Sequence, residues 1–236
     1  MPLDILALAA HRDDVEQTCG GTLLKMAERG YRTGILDLTQ GEMGTRGTAE
    51  DRALEAVEAA RILKVSWRHA LDIPDGRVEN TWENRLKVVR VLREQRPRVL
   101  ILPYWEGRHP DHYAASILGY EAAFISGLAK LPLEGSRHRP FKIIYASLYR
   151  DVRPTFVVDI TGQFETRFAA LMAYKSQFTD QQAGSGIFPA QKEIRARIES
   201  MARYHGMLGG VTYAEPFVQK EVGLVEDVLA IPVKSI

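Results

Sequence analysis

Apolar residues along this chain gather in short continuous runs. Between them lie longer stretches in which apolar positions recur every three or four residues. The first run, LDILALAA at residues 3–10, is apolar enough to be covered on both faces and predicts a buried strand. Residues 18–30 carry helical spacing and end at Gly30, a favoured place for a helix to stop. RTGILDLT at 32–39 predicts a second buried strand, and QGEMGTRGT at 40–48 a glycine-rich loop. Residues 49–65 predict an amphipathic helix, with Thr48 as N-cap and Asp51 three residues on. A short strand at 68–74, a turn at 75–81 and a helix at 82–95, stopped near Pro97, come next. RVLILPY at 98–104 predicts a fourth buried strand. WEGRHPDHYAAS at 105–116 reads as a loop leading into a helix at 117–129.

This alternation predicts an α/β fold: a Rossmann-like, mostly parallel sheet flanked by helices, with right-handed crossovers. After Lys130 the pattern loosens into a smaller C-terminal α+β extension. Residues 130–140 read as a connector, 141–149 and 154–160 as strands, and 162–178 as a helix. Residues 179–189 read as a flexible loop, 190–206 as a long polar helix, and the tail from 210 onward as a small edge element. No boundary divides residues 1–236, so a single domain is expected, with residues 1–130 as core and 131–236 as extension.

Composition narrows the function. Formal net charge is +1 and no basic block occurs, so no nucleic-acid partner is expected. The one cysteine, Cys19, rules out an intrachain disulfide, fits a reducing cytoplasm and reads as a small buried apolar group. MPLDILALAA lacks a charged leader and reads as a strand, and no apolar run has the length of a membrane span.

Two stretches remain unexplained by folding alone. HRDD, with His11, Arg12, Asp13 and Asp14, directly follows the first strand. RHPDH, with Arg108, His109, Asp111 and His112, directly follows the fourth. Loops at the carboxyl ends of parallel strands share one edge, where ligands bind. Each motif alone reads as capping or turn chemistry. Together they bring three of the six histidines and three aspartates to one place. Neutral imidazole and carboxylate suit a catalytic zinc, and a divalent cation supplies the charge that adjacent aspartates require. His69, His138 and His205 read as packed, solvated and helix-end residues. CGGT at 19–22 matches no phosphate-loop pattern, and its glycines read as letting a helix start lie close to the site.

AHRDDVE followed by GGT and then RHPDH resembles the PIG-L or LmbE-like family of zinc-dependent N-acetylglucosamine deacetylases. LDLTQGEMGTRGT, DIPDG, PYWEGRHPDH, AYKSQF and GVTYAEPF are similar to its bacillithiol-biosynthesis subgroup. The resemblance implies one Zn²⁺ per chain, with His11, Asp14 and His112 as ligands and Asp13 as general base. It implies His109 as donor to the oxyanion or leaving amine, Asp111 as the group orienting His109, and Arg52 as a substrate contact. The substrate implied is N-acetylglucosaminyl-malate, and the assembly a homo-oligomer, often a hexamer in the family. Arg12 stands where the family commonly has proline. With Arg46, Arg52 and Arg108 it suggests an electropositive mouth for an anionic aglycone. Tyr204 is a candidate for the mobile tyrosine of some members. A two-metal phosphoesterase and a non-catalytic zinc- or sugar-binding protein are the rival readings. The first lacks extra carboxylates, and the second has no need of Asp13 and His109.

Overall fold

The computed structural model describes residues 1–148, 150–179 and 191–233. Strands β1 (Ile5–Ala9), β2 (Thr33–Asp37), β3 (Trp67–Ala70), β4 (Val99–Pro103) and β5 (Lys142–Ala146) run parallel. With β6 (Phe156–Asp159) and β7 (Ala214–Val218) they form a seven-stranded sheet in the order β3-β2-β1-β4-β5-β7-β6. The helices are α1 (Asp14–Thr18), α2 (Gly20–Glu28), α3 (Ala49–Ile62), α4 (Trp82–Gln95), α5 (Pro110–Ser126), α6 (Phe164–Leu171), α7 (Lys175–Phe178) and α8 (Gln191–Gly209).

Side chains alternate across a strand, so a strand buried on both faces must be apolar throughout. Leu6, Leu8, Leu100 and Leu102 pack with Val88 and Leu92 of α4 and Leu118 and Ala122 of α5. The opposite-facing Ile5, Ala7, Ala9 and Ile101 pack with Val15 of α1 and Leu23 of α2. Both faces are covered, which is why the runs are continuous. α3 begins where Thr48 is expected to cap it: the Thr48 side chain accepts from the Asp51 amide, and Asp51 accepts from the Thr48 amide at 3.0 Å. α4 occupies residues 82–95 as expected, and Arg96 closes it at φ 51°.

The helix expected at 18–30 is α2, and a further short helix, α1, precedes it across Cys19. Four other expectations are corrected. The buried carboxylate of Glu215 accepts from the Gly21 amide at 2.8 Å, from the Thr22 amide at 2.7 Å and from the Thr22 hydroxyl at 2.5 Å, so a new helix N-terminus starts there. The close approach explains Gly21, where a Cβ would stand 2.9 Å from Glu215 Oε1 and 3.0 Å from Ile160. That glycine serves β7 and Ile160, not the strand-edge site. α5 starts at Pro110, so the second half of the expected 105–116 loop is helical. Proline suits the first helical position, where no amide partner is needed. The helix expected at 162–178 breaks between Leu171 and Lys175 into α6 and α7. The tail strand is interior: β7 pairs antiparallel with both β5 and β6, and β6 is the edge. The loop expected at 179–189 lies, apart from Thr179, outside the described residues. Among the described residues no helix is long and apolar enough to cross a membrane.

Glu215 also meets the buried Arg167 of α6, Nε to Oε1 at 3.1 Å. Removing one partner of a buried pair costs about 3–5 kcal/mol, because the other charge stays buried. Glu215→Ala is therefore expected to lower the unfolding free energy by about that much in denaturant titration. A loss under about 1 kcal/mol would show that the strand does not anchor α2.

Candidate active site

β1, β3 and β4 point their carboxyl ends to one edge of the sheet, and the loops leaving them carry the polar clusters. After β1 the chain passes His11 and reaches Asp13 at φ 103°, ψ −18°, a left-handed conformation that is strained for residues with a Cβ. Strain of this kind gathers at functional sites. Here it turns two adjacent aspartates in different directions. Asp14 opens α1 and folds its carboxylate back to accept from the His11 amide at 2.9 Å, while Asp13 faces Arg52. On the other loop His109 caps α5, its Nδ1 accepting from the Asp111 amide at 3.2 Å. Asp111 and His112 therefore fall on the first helical turn.

His11 joins the two loops. Its Nε2 lies 3.1 Å from Asp75 Oδ1 and 3.1 Å from Asp111 Oδ2. Asp75 also accepts from the Met43 amide at 3.0 Å, and Asp111 from the Gly76 and Val78 amides at 2.8 and 3.2 Å. A ring nitrogen facing two carboxylates carries the hydrogen, which leaves the Nδ1 lone pair free to coordinate. Nδ1 stands 3.2 Å from His112 Nε2 and 3.6 Å from Asp14 Oδ2, and His112 Nε2 stands 3.3 Å from Asp14 Oδ1. Ligands held about 2.0–2.2 Å from a tetrahedral zinc are roughly 3.3–3.6 Å apart, so the two ring nitrogens and the Asp14 carboxylate, which meets one ring with Oδ2 and the other with Oδ1, form a triangle of about ligand spacing.

Charge agrees with geometry. Burial opposes a charge on His11, yet its hydrogen bonds to Asp111, Asp14 and Asp75 outweigh that and push its pKa up to about 12. His112 is raised too: burial opposes it, and Asp14 prevails. Burial alone would lift Asp14, but His112 and His11 hold it well below the usual carboxylate range. The same pull favours a cation at the centre of the triangle. His11, His109 and His112 form another group within ligand distance, and His11, Asp75 and Asp111 a further one. In the further one, the carboxylates are already engaged by three backbone amides, so the Nδ1 side fits an ion better.

Three side chains stand around the triangle. Burial raises the pKa of the Asp13 carboxyl, Arg52 opposes that rise, and the neighbouring Asp14 adds to it. Arg52 Nη2 donates to Asp13 Oδ1 at 3.2 Å and also to the Arg12 carbonyl. Gly41, at φ 73°, leaves room for this guanidinium, which a Cβ there would strike. The His109 ring stacks on His112 at 4.9 Å and meets His11 edge-on at 4.7 Å. Burial lowers its pKa, and His11 and His112 lower it further. With Nδ1 accepting, neutral His109 carries its hydrogen on Nε2.

Several expected roles change. The Asp111 carboxylate orients His11 rather than His109, because its oxygens are taken by that ring and two amides; only its backbone N–H reaches His109. Arg12 is buried, donating to the Ala49 carbonyl at 2.8 Å and the Gln40 carbonyl at 3.3 Å, so it ties loops together instead of lining a mouth. Arg46 is buried likewise, on the Gln177 carbonyl. Arg108 is exposed on the loop before α5. Tyr204 is exposed on α8, which packs on β6 and β7. His205 is buried, with Nδ1 on the Met201 carbonyl, and burial lowers its pKa, so it is no helix-end cation. His138 binds the Pro97 carbonyl at 2.7 Å, and His69 lies exposed beside Trp67. Cys19 is buried, and burial pushes its thiol up, so it stays neutral. Sequence reasoning missed Asp75. Its signal was positional: DIPDG follows β3 at the same sheet edge that located the other two loops.

A Rossmann-like sheet with an imidazole–carboxylate–imidazole triangle and a spare carboxylate at its carboxyl edge is the layout of a hydrolase. The chain belongs to the PIG-L family, GlcNAc-PI de-N-acetylase, which matches residues 6–123. It is 31% identical over 224 residues to diacetylchitobiose deacetylase of Thermococcus kodakarensis, covering 89% of this chain and 80% of that one. Conserved protein TT1542 from Thermus thermophilus superposes with a TM-score of 0.86 at 43% identity, covering 95% and 98% of the two chains. N,N'-diacetylchitobiose deacetylase from Pyrococcus horikoshii, complexed with an inhibitor, superposes with a TM-score of 0.79 at 26% identity, covering 90% and 82%. The family expected from the motifs is the family found. None of these three relatives carries the bacillithiol assignment in its name.

If His11 Nδ1, Asp14 and His112 hold the ion, His112→Ala should lose most bound zinc by metal mass spectrometry. Asp75→Asn leaves the ligands in place and is expected to weaken zinc affinity about 10–100-fold in chelator competition. Unchanged affinity in Asp75→Asn would contradict the assigned role of the His11 tautomer.

Proposed function

We propose that this chain hydrolyses the acetamide of an N-acetylglucosaminyl conjugate, using one zinc ion per chain held by His11, Asp14 and His112. The observation that carries the reading is the triangle with a carboxylate, Asp13, beside it that is not needed as a ligand. When bound, zinc supplies Lewis acidity to the amide carbonyl and lowers the pKa of water. Asp13 takes the proton of the attacking water, and its raised pKa suits a base working near neutrality. Arg52 holds that carboxylate in place. His109 offers Nε2–H to the carbonyl oxygen as negative charge builds there. The Asp111 amide keeps this tautomer by occupying Nδ1, which favours hydrogen-bond donation over full proton transfer. The proton held on Asp13 then passes to the nitrogen as the C–N bond breaks, leaving acetate and a free amine.

The finer substrate reading is N-acetylglucosaminyl-malate. It rests on the sequence motifs, with Arg108, exposed on the loop before α5, as the cation offered to the aglycone; Arg12, Arg46 and Arg52 are buried in contacts with loop carbonyls and Asp13. The names of the relatives make diacetylchitobiose the competing substrate.

Acetate release from N-acetylglucosaminyl-malate, diacetylchitobiose and free N-acetylglucosamine separates these. The malate conjugate is expected to give the highest kcat/KM, with an advantage that shrinks as salt is added. Arg108→Ala is expected to raise KM for that conjugate alone. Preference for diacetylchitobiose would overturn the malate reading and leave the deacetylase standing, whereas no acetate from any of them would overturn both. Asp13→Asn should retain zinc and lower kcat about 10²–10⁴-fold; normal turnover would assign the base elsewhere.

A further inference from the structure

α5 is apolar on a face that the fold leaves open. After its first turn it carries one charged residue, Glu121, which pairs with Arg85 of α4 at 3.1 Å. A helix apolar all round is normally covered all round. Leu118 and Ala122 pack in the core with β1, β4 and α4, whereas Ile117, Tyr120 and Phe124 are exposed. Tyr120 and Phe124 line a groove of about 380 Å³ together with Arg139, Phe141, Lys142 and Ile143. It lies toward the amino end of β5, away from the carboxyl-end site. The chain leaving β7 passes the rim of this groove at Glu221, Val222 and Gly223. Lys220 pins that point: its Nζ lies 4.5 Å from the Trp105 ring centroid, 4.8 Å from that of Tyr145 and 4.9 Å from that of Tyr120. Residues 221–233 then form an arm that is exposed at every position. Val222, Leu224 and Leu229 are each more than nine-tenths exposed. Among the described residues the arm's hydrogen bonds stay within it, from Leu229 and Ala230 to Asp227, from Ile231 to Val228 and from Val233 to Ile231. So aliphatic a segment does not have the composition of one that stays solvated.

We infer that this arm docks in the α5 groove of a second copy of the chain, and that the two copies exchange arms reciprocally. One chain carries both an uncovered apolar groove and an uncovered apolar arm, and beyond Gly223 no described residue of the arm lines its own groove. The charges match. Residues 221–231 hold Glu221, Glu226 and Asp227 and no cation, while the groove holds Arg139 and Lys142. The Arg139 guanidinium lies over the Phe124 ring, 4.5 Å from its centroid, and so stands beside the apolar wall. The placement matches too. Because the arm departs at the groove's rim, a two-fold axis beside α5 sends each arm across to the partner's groove and makes every contact twice. Ten residues past Gly223 reach at most about 33–36 Å, against about 8–10 Å between packed helices. The exchange lies apart from the histidine–aspartate site and does not rest on the deacetylase reading.

Analytical ultracentrifugation of the full chain tests the exchange. The wild type is expected to sediment as a dimer, or as an assembly of dimers, at micromolar concentration. Phe124→Glu in the groove and Leu229→Glu in the arm should each weaken association about 30-fold or more, with the circular dichroism of the fold unchanged. Glu226→Arg should weaken it as well, and adding Arg139→Glu to that chain should restore part of the loss. Mixing the two single variants separates exchange between copies from folding back within one. A Phe124→Glu chain keeps a sound arm and a Leu229→Glu chain keeps a sound groove, so a mixed pair regains one of the two dockings. The mixture should therefore associate more tightly than either variant alone. A wild type that stays monomeric, an assembly that Phe124→Glu and Leu229→Glu both leave intact, or a mixture no tighter than its components would overturn the exchange.

Discussion

Two carboxylates, Asp75 and Asp111, converge on one nitrogen of His11, and the rest of the site follows from that contact. They hold the ring's hydrogen on Nε2, so the opposite nitrogen presents a lone pair toward Asp14 and His112. Backbone amides on residues 43, 76 and 78 fix the two carboxylates in turn. Three loops, from the ends of β1, β3 and β4, are thus locked to one imidazole. The adjacent aspartates of HRDD are tolerated because the chain turns at Asp13 with a positive φ, sending one carboxylate into the triangle and the other to Arg52.

The sheet edge that carries this site is held up from behind by the C-terminal third of the chain. β7 inserts between β5 and β6, and from it Glu215 reaches under α1 to start α2 and to pair with Arg167. Arg167 in turn donates to the Glu16 and Gln17 carbonyls at the far end of α1. A second buried set lies nearby. Arg68 bridges Glu16 and Asp37, and the Tyr174 hydroxyl donates to Glu16. α1, only five residues long and bearing Asp14 at its first position, is therefore clamped from both sides by ion pairs rather than by its own length.

Much of this was legible in the sequence. The buried strands, the Thr48 capping box and α4 follow from local patterning, and the convergence of HRDD and RHPDH follows from parallel topology. What was not legible depended on partners distant in the chain. The short α1 before Cys19 was not legible, and neither was the cap of α2, which Glu215 supplies from 194 residues away at Gly21. β7 reads as an edge piece, because nothing local says which strands it will join. Arg12 reads as a cation at a mouth, but the carbonyls of Gln40 and Ala49 bury it. Asp111 reads as a partner of His109, two residues back, whereas its carboxylate turns to His11, 100 residues away. Asp75 carried a positional signal only, since one aspartate in a turn looks like turn chemistry.

The site's chemistry turns on which side of His11 receives the ion. Anomalous scattering at the zinc edge from crystals of the zinc-loaded protein reads that directly. One peak per chain is expected, about 2.0–2.2 Å from His11 Nδ1, Asp14 Oδ and His112 Nε2, with Asp75 and Asp111 still on Nε2. A peak on the Nε2 side, ligated by Asp75 and Asp111, would contradict it.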